Sequence, residues 1–387
     1  MITSTTQRAL ARLHSVRTRR FGTAALAAVG SALLIASAGV ANASTPSPVP
    51  AGFQPASTSW LTAQHGYVFG YAACTWSDSC QYLFDTNDGG TTWQQLTAPP
   101  IALPANSNHV ALTVASAKVA FATDGEYLFT SQDGAQHWST VSLAGLDPTG
   151  QINISSVTVF NGKVFAVGTE NNTATIYSGA VTANTLTPVA ALAWTGLPYD
   201  YAQITATGGV LQIAAGASFH TERYWYSHDG ATFTHATVPC PANTTTPALA
   251  GIQSGHVLAI CASDPADPQP GEQFKELVVA PALGAPFADA GPAPVTGLRQ
   301  DFATVSPKNA SVAAQGGGEN FLYATFDGGK TWQTTLTVED LLGLWDLTFP
   351  SAGTGYLVAG LPQSPVGASK LYRSTDAGHT WSVLTVR

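Results

Sequence analysis

Charge is scarce in this chain. Asp, Glu, Lys and Arg make up 10% of its 387 residues and methionine occurs 1 time, against 37 glycines and 24 prolines. So few strong helix formers exclude long amphipathic helices, and the surplus of turn residues reads as short strands joined by tight turns. Basic residues are the scarcer charged class, 15 Lys and Arg against 23 Asp and Glu, and no arginine falls between residues 21 and 222. An acidic balance argues against nucleic acid and anionic membranes as partners. After residue 43 there is no apolar run long enough to cross a bilayer.

Residues 1–43 are of another kind. Arg8, Arg12, Arg17, Arg19 and Arg20 precede an apolar run from Phe21 to Val40 that closes on Ala41-Asn42-Ala43. A basic start, an apolar middle and a small-x-small end read as a signal peptide, cut after Ala43, and as export from the cell. The run is rich in Ala, Gly and Ser rather than Leu and Ile, which disfavours a retained anchor. Arg19-Arg20 hints at twin-arginine export, but Phe21 follows at once, so the general secretory route is favoured. Ser44, not cysteine, follows the cut, which disfavours a lipoprotein. Removing the signal leaves 10 basic against 23 acidic residues, a net charge of about −13.

All 4 cysteines lie beyond the cut, an even number in an exported chain, which suggests disulfides. Four cysteines allow three connectivities; local pairing, Cys74 with Cys80 and Cys240 with Cys261, is expected. Closing the shorter loop contributes roughly 2 kcal/mol and the longer roughly 3 in the chain-entropy account. A zinc site is disfavoured, because neither pair has C-x-x-C spacing and no histidine cluster accompanies them. No metal and no cofactor is expected.

One template recurs along the mature chain. "TNDGGTTW" (Thr86 to Trp93), "SQDGAQHW" (Ser131 to Trp138), "SHDGATF" (Ser227 to Phe233), "TFDGGKTW" (Thr325 to Trp332) and "STDAGHTW" (Ser374 to Trp381) share [S/T]-x-D-x-[G/A]-x-x-W, with Phe once in place of Trp. The acids Asp88, Asp133, Asp229, Asp327 and Asp376 lie 45, 96, 98 and 49 residues apart, so each long interval should hide a degenerate copy. "IYSGA" with Ala180 and "APALGAPF" with Ala282 at the acid position fill the gaps. Each unit then reads as an alternating segment, a Gly-punctuated turn, an apolar strand, a loop, a strand ending "LF", "IY", "WY" or "LY", the motif, and a last strand. Four short strands per repeat are the signature of a β-propeller blade, and one blade cannot bury both faces of its sheet without neighbours. The expectation is an all-β chain: a seven-bladed β-propeller of four-stranded antiparallel blades over residues 54–387, preceded by a Pro-rich linker at 44–53.

The repeat resembles the Asp-box, or bacterial neuraminidase repeat, of sialidases, sortilin-type receptors, xyloglucan-cleaving glucanases and photosystem II assembly factors. An Asp at a turn accepts backbone N–H bonds, Gly supplies positive φ, and a Trp buries a large area, about 1.5–3 kcal/mol or more. The resemblance implies a structural role for the five acids and for Trp93, Trp138, Phe233, Trp332 and Trp381. It also implies that the boxes join third to fourth strands at the blade periphery, away from the functional face. Calcium binding by the acids is disfavoured, since each would sit on a different blade.

Function is then expected on the opposite face, in the loops after second strands and between blades. Those segments carry Trp76 and Asp78, Asp124 and Glu126, Glu170, His220 with Glu222 and Arg223, Asp264, Asp267, Glu272 and Glu276, and Glu319. Acids recur there in a chain otherwise poor in charge. "WTGLPYDY" adds Trp194, Tyr199 and Tyr201, which suit stacking on a sugar or a peptide, or equally packing over a blade edge. His220, Glu222 and Arg223 read first as a local surface ion pair and second as part of a site.

A sialidase needs three arginines on the substrate carboxylate, one in an F/Y-R-I-P segment, with a Tyr nucleophile and acidic partners. Beyond the signal only Arg223, Arg299, Arg373 and Arg387 exist, and no F-R-I-P occurs. A glycosidase needs only two carboxylates about 5–9.5 Å apart, and Glu170 with Glu222 are the candidates. The xyloglucan-cleaving relatives build their cleft from two propellers, however, and this chain has room for one. The reading is a secreted, monomeric, non-catalytic propeller that binds an extracellular protein or glycan through its acidic, aromatic loop face; an extracellular glycoside hydrolase on that face is the alternative.

Overall fold

The computed structural model describes residues 49–75, 77–101, 110–146, 152–192, 201–217, 220–240, 245–253, 255–263, 270–339, 342–362 and 368–387. All belong to the compact unit Thr45–Arg387. The expected signal peptide, with its cleavage site, lies outside the described residues.

The described residues form 28 strands in successive antiparallel meanders of four, and their only helical turn is a 3₁₀ segment, Ala190–Leu192. The first meander is Gln54–Trp60, Gly66–Cys74, Ser77–Thr86 and Gln94–Leu96; the second is Ala111–Val114, Ala120–Thr123, Leu128–Ser131 and Ser139–Leu143. The third is Ile152–Phe160, Lys163–Glu170, Thr173–Ala180 and Thr185–Pro188; the fourth is Tyr201–Thr207, Val210–Ala217, His220–Ser227 and Thr234–Ala236. The fifth is Thr245–Gln253, His256–Ser263, Phe274–Ala280 and Ala288–Ala293; the sixth is Leu298–Ser306, Asn309–Gln315, Asn320–Thr325 and Gln333–Val338. The last is Leu344–Ser351, Thr354–Ala359, Lys370–Ser374 and Ser382–Val383. First strands of consecutive meanders touch, and the first strand of the last meander touches that of the first.

Burial follows from this stacking. Second strands are buried along nearly their whole length, as in Val210–Ala217, because both faces of the sheet are covered by neighbouring meanders. Fourth strands are short and mostly exposed, as in Gln94–Leu96, which limits unpaired edge. One outer edge is closed differently. The fourth strands of the second and third meanders pair in parallel, Thr185 opposite Ser142 and Leu186 opposite Leu143, merging the two into an eight-stranded sheet. Both locally paired disulfides are present, Cys74–Cys80 and Cys240–Cys261.

Each motif lies between a third and a fourth strand and is held by its acid. Thr86, Ser131, Ser227, Thr325 and Ser374 end their strands fully buried. Their hydroxyls donate to Asp88, Asp133, Asp229, Asp327 and Asp376 at 2.8–3.0 Å. In the first copy Asp88 Oδ1 also accepts the N–H of Thr91 at 2.9 Å and of Thr92 at 2.8 Å, while Oδ2 accepts the Thr92 hydroxyl at 2.6 Å. The turn needs left-handed backbone, supplied by Gly90 (φ 90°) in the first copy but by Ala135 (φ 60°) in the second. The degenerate third copy keeps the turn contact of the others: the Val181 N–H bonds the Gly162 carbonyl at 3.0 Å, as the residue after the acid does in four full copies, and Ala180 before it is exposed.

The aromatic that closes each motif packs on the preceding meander. Trp138 packs on a cluster that holds Tyr67, Phe69 and Leu83, Phe233 on one with Phe165 and Val167, and Trp332 on one with Leu258, Ile260 and Leu277. Trp381 lies beside Ala313 and Leu322. Trp93, 5% exposed, packs with Val358 and Leu371 of the last meander, so the same contact joins last to first. Trp60 stacks on Tyr356 across that seam with ring centroids 3.4 Å apart, and the Arg373 guanidinium donates to the Gly89 carbonyl at 2.7 Å. Val49 and Phe53, from the segment that reads as a linker, pack there too.

Hydrogen bonds to the ionised form hold Asp88 and Asp327 at a pKa of about 2, below the ordinary 3.8. Their contribution is therefore present above pH 4 or so and lost as pH falls through about 2. In urea titrations the double variant Asp88→Ala/Asp327→Ala should be less stable than the parent at pH 5, with the difference closing towards pH 2.

Candidate functional site

Apart from the fifth, where Thr245 also pairs with His220 of the fourth meander, the first strand of a meander has a sheet neighbour on only one side, so half of its N–H and C=O groups need partners from elsewhere. Polar side chains of adjoining meanders supply them. Asp346 Oδ2 accepts the Thr58 N–H at 2.7 Å and the Ser57 hydroxyl at 2.6 Å, and Ser57 Oγ accepts the Leu112 N–H at 3.0 Å. Ser59 Oγ takes the Val114 N–H at 3.0 Å. The Thr113 hydroxyl donates to the Val157 carbonyl and the Ser156 hydroxyl to the Ile204 carbonyl, both at 3.2 Å. Gln273 Oε1 accepts the Arg299 N–H at 2.8 Å. Asp301 Oδ2 accepts the Leu347 N–H at 2.8 Å, and Gln300 Oε1 the Leu344 N–H at 2.7 Å. Asp346 itself sits at φ 53°, within an irregular stretch of its strand pairing, an uncommon conformation for a side-chain-bearing residue.

These strands enclose a cavity of about 650 Å³ whose walls include Leu61 and residues of the fourth, sixth and seventh meanders. Gln203, Thr205, Arg299, Asp301, Thr304 and Thr348 give it a polar lining, with Phe302, Leu347 and Phe349 as apolar wall. Across all seven first strands the sequence places only four titratable residues, Tyr201, Arg299, Asp301 and Asp346. Arg299 and Asp301 line the cavity and are each half-buried. Burial pushes the Asp301 carboxyl up to about 7, against the N–H bonds from Leu347 and Phe302. Asp346 raises it further and Arg299 opposes. Burial likewise lowers the Arg299 guanidinium to about 10, with Asp301 and Tyr201 resisting.

Beside Arg299 lies a buried cation. Lys275 Nζ donates to the carbonyls of Gly297 at 2.6 Å, Gln273 and Val295 at 3.0 Å, and Thr296 at 3.4 Å. It ties the third strand of the fifth meander to the link that leads into Arg299.

The acids singled out from sequence are spread around the end of the meanders opposite the Asp turns. Glu126 is exposed in a turn where Asp124 Oδ1 accepts the N–H groups of Glu126 and Tyr127. Glu170 ends a strand and pairs with Thr173 across a tight turn through Asn171 and Asn172, both at positive φ. Glu319 is exposed just before the third strand of the sixth meander. Tyr201 begins a first strand and its hydroxyl lies 2.6 Å from Thr221 Oγ1.

Two placements differ from expectation. His220, Glu222 and Arg223 are not in a loop: they belong to a third strand, with Glu222 at an irregularity between the pairs Ala215–Arg223 and Gly216–Thr221. Glu276 is also a strand residue; burial, then the charge of Asp289 and a hydrogen bond to it, hold its pKa above the usual value. Trp76, Trp194, Tyr199, Asp264, Asp267 and the Asp78 side chain lie outside the described residues. Sequence reasoning considered Arg299 only as one arginine of a triad and missed Asp301, Asp346 and Lys275. The available signal was charge inside strands of a chain only 10% charged.

No family model matches the chain, and no curated protein sequence matches it. Among solved structures that match is YCF48 from Cyanidioschyzon merolae, a β-propeller. It is 16% identical, covers 80% of this chain and 94% of its own, and superposes with a TM-score of 0.51. At that identity the likeness establishes fold alone: this chain is a β-propeller.

Asp346→Ala would leave the Thr58 N–H and the Ser57 hydroxyl without their acceptor. Bonds to a charged acceptor contribute about 1.5–3 kcal/mol each, so chemical denaturation should show a loss of about 3–6 kcal/mol with little change in circular dichroism.

Proposed function

We propose that the protein is a secreted, non-catalytic propeller of seven blades, one per meander, closed by Asp-box turns and binding an extracellular protein or glycan on the face opposite those turns. The observation that carries this reading is the dispersal of acids there. Glu126, Glu170, Glu222 and Glu319 sit on the second, third, fourth and sixth meanders, and Tyr127, 49% exposed, stands among them. Scattered carboxylates around an exposed aromatic suit a broad contact surface better than two acids converging on one bond. Trp76, Trp194, Tyr199, Tyr201, His220 and Arg223 complete the surface in this proposal. Export, with Ser44 as the first mature residue, accords with the two disulfides. No helix among the described residues is long and apolar enough to cross a membrane.

One observation favours hydrolysis instead. Asp301, at about 7, is a carboxyl poised to give or take a proton near neutrality, and Asp346 is close enough to perturb it. Both, however, spend carboxylate oxygens on backbone or hydroxyl donors of the adjoining strands. A glycan array, a pull-down from culture supernatant and a panel of aryl glycosides, all with protein beginning at Ser44, distinguish the readings. Binding should be weakened about tenfold or more by the triple variant Glu126→Gln/Glu222→Gln/Glu319→Gln, with no glycoside cleaved. Cleavage abolished by Glu170→Gln, Glu222→Gln or Asp301→Asn would establish the hydrolase.

A further inference from the structure

We infer that the central cavity is a second, separate site for a small neutral polyhydroxylated molecule of the sugar type, held by the Gln203 amide and the Thr205 and Thr348 hydroxyls and reached from the Asp-turn end. At about 650 Å³ it lies within the range of small-molecule sites. Its walls run to Leu61, Gly208 and Pro350, at or beside the turns that join first to second strands. In an antiparallel meander those turns share an end with the turns that join third to fourth strands. Here the two sets are bonded, as from the Gly89 N–H to the Gln64 carbonyl at 2.8 Å and from the Gly328 N–H to the Lys308 carbonyl at 2.9 Å. Thr207 and Gly208 are exposed at that end. The acids of the loop face stand at the other, so either site can fail without the other failing.

The ligand class follows from which wall groups are already engaged. Asp301 accepts the Phe302 N–H on one oxygen and the Leu347 N–H on the other. Arg299 has partners of its own, and it and Asp301 each favour the other's charged form. The Gln300 amide donates to Gln315 Oε1 at 2.9 Å and accepts the Leu344 N–H at 2.7 Å. The Thr304 hydroxyl is taken by the carbonyls of Ser306 at 2.9 Å and Asn309 at 3.0 Å. Gln203, Thr205 and Thr348 differ, for among the described residues their side chains make no hydrogen bond. They come from the first strands of the fourth and seventh meanders, and each can both donate and accept. Fully buried Gln212 lies opposite Thr205 in the sheet and so on the same face. Its Oε1 accepts the Tyr224 hydroxyl at 2.7 Å, but its Nε2 has no partner within the protein, a rare state for a buried donor.

Neutral groups that donate and accept alike match hydroxyls, which do the same. They match a net charge poorly, because the charge would exchange its hydration for uncharged partners. Phe349 and Leu61 give an apolar surface for the C–H face of a sugar ring. Phe349 is held from behind by Trp381, the aromatic of the last Asp turn, edge to face with ring centroids 5.9 Å apart. The last Asp turn therefore backs a wall of the cavity as well as packing on its neighbour.

The test is a thermal-shift screen of the mature protein, followed by calorimetry, with free D-glucose, D-galactose, D-mannose, maltose, trehalose and myo-inositol. Glucuronate and N-methylglucamine serve as the anionic and cationic counterparts. At least one neutral compound should bind, about tenfold or more tighter than either charged counterpart. Gln203→Ala and Thr348→Val should each weaken that binding about tenfold. Because neither side chain is bonded in the free protein, both variants should keep the thermal midpoint of the unliganded parent. Thr205→Tyr, which fills the cavity, should abolish binding. The loop-face variant Glu126→Gln/Glu222→Gln/Glu319→Gln should bind the compound as the parent does. No binding of any neutral compound, equal binding of a charged counterpart, undiminished binding by both Gln203→Ala and Thr348→Val, or loss of binding in the loop-face variant would each overturn the inference.

Discussion

Unpaired backbone on the inner strands is the constraint on which the rest of this structure depends. A meander of four strands can end outwards in a short, solvated edge, but its inner edge faces the other meanders, where water is limited. Here polar side chains of adjoining meanders complete that edge. The relay from Asp346 through Ser57 to the Leu112 N–H links three meanders with two side chains. Such bonds strengthen one another in a low-dielectric setting, and each is costly to leave half made. Apolar packing between sheets is plentiful, but it is directionless; the inner bonds fix how one meander is turned against the next.

The outer rim solves the complementary problem. An aromatic from each Asp turn reaches back to cover the preceding meander, and the acid holds the turn that aims it. Trp93 performs this across the seam, where the Trp60–Tyr356 stack and the Arg373–Gly89 bond add to it. The last outer strand, Ser382–Val383, comes from the C-terminal end of the chain and pairs within its own meander. Closure therefore rests on side-chain contacts between last and first meanders rather than on a shared strand.

How much of this could be read in the sequence follows from the range of each signal. The Asp turns are local: eight residues contain the acid, the hydroxyl that donates to it, the glycine and the tryptophan, so the repeat was legible wherever all four survive. The third copy, lacking acid and tryptophan, was legible only from the doubled spacing of its neighbours. The disulfides were legible because both pairs are near in sequence. The inner site was not. Asp301 lines the cavity and Asp346 is brought near Asp301 by the packing of two meanders, and spacing does not encode which face of an inner strand looks inward. His220 to Arg223 were placed in a loop because their composition is polar, whereas their pairing with Ala215–Ala217 carries them as strand.

Native-state hydrogen exchange tests the dependence on inner-strand bonds most directly. If the side-chain acceptors complete the inner edge, the Thr58, Leu112 and Leu347 amides exchange as slowly as those in the second strands, and Asp346→Ala speeds Thr58 and Leu112 while leaving Leu347 protected. Rapid exchange of all three amides in the parent protein would contradict the account.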